Sequence, residues 1–201
     1  MTQLANMLTL SRLILAPVFI VLFLIDATWA ALAALGLALL FEITDMLDGY
    51  VARNIGQVSS LGKLIDPLAD SVARFSIFLA LTTEESVRRH FWPILLVAII
   101  FYRDAIVAYM RTFAASGGVV LAARASGKIK AVAQGAGIFA FLSVRCAGFL
   151  FPDAVGLEIR AASFYIVMIP VVIVTAVSGI DYVVSNRSAV SAMMNANRDE
   201  G

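Results

Sequence analysis

The chain has 201 residues, of which 61% are hydrophobic and only 14% charged, whereas an ordinary soluble domain is roughly 45 to 50% apolar. That excess excludes a water-soluble core as the organising principle and points to lipid as the solvent. A formal net charge of +1 removes the broad basic field that nucleic-acid binding needs, so the placement of charges matters more than their sum.

A helix needs about 20 mainly apolar residues to cross a hydrocarbon core roughly 30 Å thick. Six charge-sparse stretches predict an all-α integral membrane protein of six transmembrane helices, forming one domain over residues 1–201. The first, Leu10–Ile25, with Arg12 and with small residues after Asp26, resembles a cleavable signal, but Thr28–Leu40 continues directly as a second apolar run, so the first is read as a span. The second, Trp29–Tyr50, closes on Asp45 and Asp48. A polar connection from Val51 to Lys63, with Gly56, Gln57, Ser59, Ser60 and Gly62, leads to the third, Leu64–Thr83, which opens on Asp66 and Asp70. The fourth, Trp92–Phe113, contains Arg103 and Asp104, read as an intramembrane pair because a lone arginine there would be costly. A second polar connection from Ala114 to Lys130, with paired Gly117 and Gly118, precedes the fifth stretch, Ile129–Phe151, and then the sixth, Ala161–Tyr182. Polar loops of this kind carry function. The other connections hold Glu84, Glu85, Arg88 and Arg89, then Asp153, Glu158 and Arg160, and are read as a solvated cap. With a single cysteine, Cys146, no intrachain disulfide forms, and Cys146 is expected to be a small buried hydrophobe. His90, the only histidine, is given no role.

If the six stretches alternate, one side receives Arg12, Arg53, Lys63, Arg74, Arg111, Arg124, Lys128, Lys130, Arg187 and Arg198, and the other only Arg88, Arg89, Arg145 and Arg160. By the positive-inside rule the richer side is cytoplasmic and holds both termini.

Carboxylates at membrane depth cost about 2.5 to 3.5 kcal/mol each, so they are usually paired, metal-bound or turned to a wet cavity. Asp45 and Asp48 lie three apart on one helical face, and Asp66 and Asp70 four apart on another. The turn between them brings both pairs to the same membrane side. Four hard oxygen donors there suit Mg²⁺ or Mn²⁺, and two ions would clamp phosphate oxygens and neutralise charge on a leaving group. A single aspartate would be better read as a helix cap or a partner of Arg53, Lys63 or Arg74, but four at helical spacing in an apolar chain favour the metal. Glu42, one turn before Asp45, is either a partner supporting this cluster or plain interfacial polarity. Asp26 and Asp181 receive no assignment.

From Asp45 to Asp70 the chain reads Asp-Met-Leu-Asp-Gly-Tyr-Val-Ala-Arg, eight residues, Gly62, three residues, Asp66, three residues, Asp70. This resembles the signature of the CDP-alcohol phosphotransferases at all eight fixed positions: Asp45, Asp48, Gly49, Ala52, Arg53, Gly62, Asp66 and Asp70. Chance agreement is on the order of 10⁻¹⁰ per window. The resemblance implies a six-helix, metal-dependent homodimer in which Asp45, Asp48 and Asp66 are metal ligands and Asp70 is a ligand, the general base, or both. It also implies that the CDP-lipid lies against Gly49, Ala52, Arg53 and Gly62. The glycines leave room for a nucleotide at the backbone, and the arginine offers a planar fork of donors to a diphosphate.

Flanking segments 6–12, 66–70, 127–134 and 178–182, together with Arg111, are similar to the bacterial branch of that family that uses CDP-diacylglycerol and sn-glycerol 3-phosphate and releases CMP. That resemblance implies the bacterial cytoplasmic (inner) membrane, with the active site facing the cytoplasm. The branch often has lysine directly after the fourth aspartate, where this chain has Ser71 and then Arg74. Arg111, Arg124, Lys128 and Lys130 share the aspartates' predicted side and are expected to bind the acceptor phosphate, making the acceptor a small phosphorylated polyol. Attraction to anionic membrane lipids, about 1 kcal/mol per residue, is the competing account of those four. Alternatives are the same chemistry on another acceptor, such as inositol phosphate, and, in another class, an ion-coupled transporter. The transporter leaves the Gly49, Ala52, Arg53, Gly62 framework without a purpose and would place its charges at the midplane.

Overall fold

The protein is described here by a computed structural model. Its backbone is described over 2–55, 60–116, 119, 121 and 124–199, and its side-chain surroundings over 11–44, 71–115, 119, 121, 124–188 and 191. Six helices follow in order: α1 Thr2–Leu24, α2 Thr28–Ile55, α3 Ser60–Leu81, α4 Trp92–Ser116, α5 Ala125–Leu150 and α6 Leu157–Asp199. No strand occurs among the described residues.

Each expected apolar stretch lies within or overlaps one helix. Trp92–Ala115, Ala125–Leu150 and Leu157–Ser188, at 24, 26 and 32 residues, are long and apolar enough to cross a membrane. The described apolar parts of the first three helices, Ser11–Leu24, Thr28–Thr44 and Ser71–Leu81, are shorter, so three of the six expected spans are clear by length and composition. Pro17 and Pro170 sit inside α1 and α6, as prolines do in helices whose neighbours re-satisfy the freed carbonyls. Pro152 lies just beyond α5, whose last turn is closed by the Phe151 N–H donating to the Ala147 carbonyl at 2.8 Å.

The helices close into a ring. α1 packs on α2 and α3, α2 on α5, α5 on α6, α6 on α4, and α4 returns to α3. Inside it lie Phe19 and Phe23 of α1, Ala34, Ala38 and Phe41 of α2, Ile77 and Phe78 of α3, Ile100 of α4, Phe141 and Leu142 of α5, and Phe164 and Met168 of α6. Small residues set the closeness of the packing, as in other membrane bundles. Ala30, Ala34 and Ala38 repeat every fourth residue on the buried side of α2. A Cβ on Gly137 of α5 would come within 2.7 Å of the Val171 Cγ2 of α6. The outer surface is apolar as well: Ile14, Val18 and Val21 on α1, Leu32 and Leu39 on α2, and Ile166 and Ile173 on α6 are exposed. Cys146 is buried, as expected.

At one end of the ring Glu85, Arg88, Arg89, Asp153 and Glu158 are exposed, as a solvated cap requires, but Glu84 and Arg160 correct that expectation. Glu84, between α3 and α4, and Arg145 of α5 are 3% and 2% exposed. Arg145 donates from Nε to the Glu84 Oε2 at 2.7 Å, and Arg160 of α6 donates to the Glu84 Oε1 at 2.7 Å. Arg145 also donates to the Phe23 carbonyl at the end of α1, 2.8 Å away, and its guanidinium lies 4.0 Å from the Phe23 ring centre. Four helix ends converge there, so residues that read as loop polarity one at a time become one buried ion-pair cluster. α1, α3 and α5 therefore finish at the same end, and the helices alternate in direction.

Candidate active site at the other end of the ring

α2 finishes and α3 begins at the opposite end. Asp45, Asp48, Gly49, Ala52 and Arg53 fall on α2, and Gly62, Asp66 and Asp70 on α3, so the backbone carries the signature on two consecutive helices. Their side chains lie outside the described residues, as does Lys63. Among the described residues no cluster of three or more metal-binding side chains occurs.

Described residues flank the signature along both helices. Glu42, one turn before Asp45, and Arg74, one turn after Asp70, meet across the ring with the Arg74 Nη1 at 3.2 Å from the Glu42 Oε1. α2 and α3 are thus joined one turn below the aspartate positions. On the fit of a divalent cation, the donor set is all carboxylate, carried at helical spacing on two helices that this ion pair holds together. That is the chemistry hard cations require.

The four expected acceptor-site cations occupy the α4, α5 and α6 side of the ring. Arg111 donates from Nε to the Tyr182 hydroxyl at 3.2 Å and lies 5.3 Å from that ring's centre. Arg124, at the N-cap position of α5, donates to the Asp181 Oδ2 at 2.7 Å, and the Ser126 hydroxyl donates to the same oxygen at 2.5 Å. Lys128 is exposed. Lys130 is buried and donates to both Asp104 oxygens at 2.9 and 3.0 Å. The expected Arg103–Asp104 pair forms at 2.9 Å, and Arg103 also donates from Nε to the Ser178 hydroxyl at 3.0 Å.

Three of the four cations are therefore already engaged, and Asp104 holds two cations against one carboxylate. Arg103 and Lys130 together exceed it by one positive charge, which leaves the cluster attractive to an anion. Sequence reasoning left Asp181 unassigned and gave Ser178 and Tyr182 no roles of their own. Their spacing on α6, 178, 181, 182, puts them on one helical face, and that periodicity was the available signal.

The profile of the CDP-alcohol phosphatidyltransferase family matches residues 2–177. The chain belongs to that family. Among its relatives, a Treponema pallidum protein is 34% identical over 148 residues, covering 73% of this chain and 66% of that protein. A Bacillus subtilis protein is 36% identical over 146 residues, covering 67% of this chain and 73% of its own. One from Escherichia coli K12 is 34% identical over 131 residues, covering 64% and 70%. All three are named CDP-diacylglycerol--glycerol-3-phosphate 3-phosphatidyltransferase.

Proposed function

We propose that the chain transfers the phosphatidyl group of CDP-diacylglycerol to sn-glycerol 3-phosphate, giving phosphatidylglycerophosphate and CMP in phospholipid biosynthesis. The observation that carries this is the complete eight-position signature on α2 and α3, in a chain whose relatives bear that enzyme's name over most of their length. The positive excess at Arg103, Asp104 and Lys130 favours a phosphorylated acceptor over a neutral one.

Asp45, Asp48, Asp66 and Asp70 hold two Mg²⁺ or Mn²⁺ ions in this reading. When bound, the metal supplies charge neutralisation on the diphosphate and on the departing nucleotide. The chain's own residues do the rest. Arg53 orients the diphosphate, while Gly49, Ala52 and Gly62 let the nucleotide approach the backbone. Arg111, Arg124, Lys128 and Lys130 gather the acceptor phosphate. Asp70 takes the proton of the acceptor hydroxyl as its oxygen attacks the β-phosphorus, the one bearing diacylglycerol. The new P–O bond forms as the bond to the bridging oxygen breaks, and CMP leaves with that electron pair.

The membrane arrangement follows the same reading. α1, α2 and α3 cross the bilayer with α4, α5 and α6, supported by the exposed apolar faces of α1 and α2. The aspartate end faces the cytoplasm of a bacterial inner membrane, and the protein is a homodimer.

The test is CMP release by the detergent-purified protein with CDP-diacylglycerol and Mg²⁺, offering glycerol 3-phosphate, inositol phosphate, inositol, serine and choline separately. Release with glycerol 3-phosphate alone is the expected result. Release with a different acceptor moves the specificity and keeps the chemistry.

A further inference from the structure

Ser178, Asp181 and Tyr182 share one face of α6, and each takes an arginine from elsewhere in the chain through the same atom. Arg103 donates from Nε to the Ser178 hydroxyl at 3.0 Å, Arg111 from Nε to the Tyr182 hydroxyl at 3.2 Å, and Arg124 from Nε to the Asp181 Oδ2 at 2.7 Å. A guanidinium has five N–H donors, and Nε carries only one of them. What the other four do separates the three arginines.

Arg103 spends its Nη1 on Asp104 at 2.9 Å, so it is fixed at more than one point. Arg111 and Arg124 are exposed, and among the described residues nothing accepts from their Nη atoms. Held at Nε, each keeps its paired Nη groups as a planar fork, the geometry that grips a phosphate through two parallel hydrogen bonds. The posts that hold them are themselves fixed. Tyr182 is buried, with its ring centre 5.3 Å from the Arg111 guanidinium. The Ser126 hydroxyl donates to the same Asp181 oxygen as Arg124, at 2.5 Å, so the first turn of α5 is pinned to α6 at two points. Fixing a long side chain in advance removes the rotamer freedom that binding would otherwise have to take away.

We propose that Asp181 and Tyr182 are positioning residues for the acceptor: they hold Arg124 and Arg111 by Nε, so that both Nη forks are left to grip a phosphate monoester. The inference rests on the reading that the acceptor is phosphorylated and met by Arg111 and Arg124. A carboxylate that served only as counter-charge would repel the phosphate, and deleting it would tighten acceptor binding. Positioning gives the opposite sign.

Steady-state CMP release by the detergent-purified full chain tests it, with glycerol 3-phosphate and CDP-diacylglycerol varied in turn, in Tyr182→Phe, Asp181→Ala, Arg111→Gln and the double variant Tyr182→Phe with Arg111→Gln. Tyr182→Phe keeps the buried ring and loses only the hydroxyl. That variant and Asp181→Ala should each raise the glycerol 3-phosphate KM about threefold to tenfold, the scale of one ordinary hydrogen bond, with kcat and the CDP-diacylglycerol KM little changed. Adding Tyr182→Phe to Arg111→Gln brings no further rise, because the hydroxyl acts through that guanidinium. A merely structural role would lower the unfolding temperature and the active fraction and leave the acceptor KM in place. An acceptor KM unchanged in Tyr182→Phe, unchanged or lowered in Asp181→Ala, or raised again in the double variant overturns the positioning role alone, since the unaltered chain would still use glycerol 3-phosphate. If no phosphorylated acceptor makes the unaltered chain release CMP, the proposed function falls and this inference falls with it.

Discussion

Asp70 is given two duties, holding metal and accepting a proton, and they separate on substitution. Asp70→Asn keeps the size and one oxygen donor of the side chain but lacks a basic carboxylate. CMP release should fall about 10²- to 10⁴-fold, the range a positioned general base supplies, with the thermal unfolding midpoint little changed. Full turnover in that variant would move the base elsewhere. The cationic residues divide differently. Lys128 is exposed, whereas Lys130 is fixed on Asp104, and Arg103 remains 2.9 Å from Asp104 if Lys130 is lost. The double change Lys128→Ala with Lys130→Ala therefore leaves the half-buried Asp104 carboxylate paired. It should raise the acceptor KM by about tenfold or more, as expected for a charged hydrogen bond to phosphate, and the CDP-lipid KM far less. Equal effects on both, in steady-state kinetics, would assign these lysines to the lipid surface. At this scale the sequence showed which residues are chemically costly but not their partners. Arg103 and Asp104 are neighbours in the chain, and their pairing was legible; Lys130 comes from a different helix, and only packing brings it to Asp104.

Elements were legible where the solvent writes them. Hydropathy marked all six helices because an apolar run in lipid needs its backbone bonds satisfied internally. It misplaced their ends: α6 continues from Tyr182 to Asp199, and α3 begins at Ser60 instead of Leu64. Hydropathy registers which residues tolerate lipid, while a helix persists through Asn186, Arg187 and Ser188 once it has been propagated. Glu84 and Arg160 were misread for a related reason, since each sits just outside a different apolar run and their convergence on Arg145 is a tertiary fact. The cluster lies at the end of the ring remote from the aspartates, so its energetics can be tested apart from catalysis. Glu84→Gln strips the carboxylate shared by the buried Arg145 and the half-buried Arg160, and removing one partner of a buried pair costs about 3 to 5 kcal/mol. A marked fall in the unfolding temperature in detergent is expected, with an unchanged acceptor KM in the fraction that remains folded. An unaltered unfolding temperature would show that Asp26, 3.6 Å from Arg145, and water already carry the charge.

For the whole molecule, alternation of six helices around a closed ring gives two chemically distinct ends. One carries the buried Glu84 cluster together with exposed Arg88, Arg89 and His90; the other carries the signature, Arg124, Lys128 and the last turns of α6. A CDP-activated lipid has its headgroup at the membrane surface, so the signature end must face the compartment that supplies both nucleotide and polyol phosphate. In the reading proposed above that end, richer in lysine and arginine, is the cytoplasmic one. The single native cysteine, Cys146, is buried, which leaves a low background for thiol labelling. In intact bacterial cells, Arg88→Cys should react with a membrane-impermeant maleimide added outside, and Lys128→Cys should react only after the membrane is opened. Reaction at Lys128→Cys from outside, with none at Arg88→Cys, would invert the protein. It would also set the aspartates on the side where neither CDP-lipid synthesis nor a phosphorylated acceptor is available, an arrangement incompatible with the transfer proposed above.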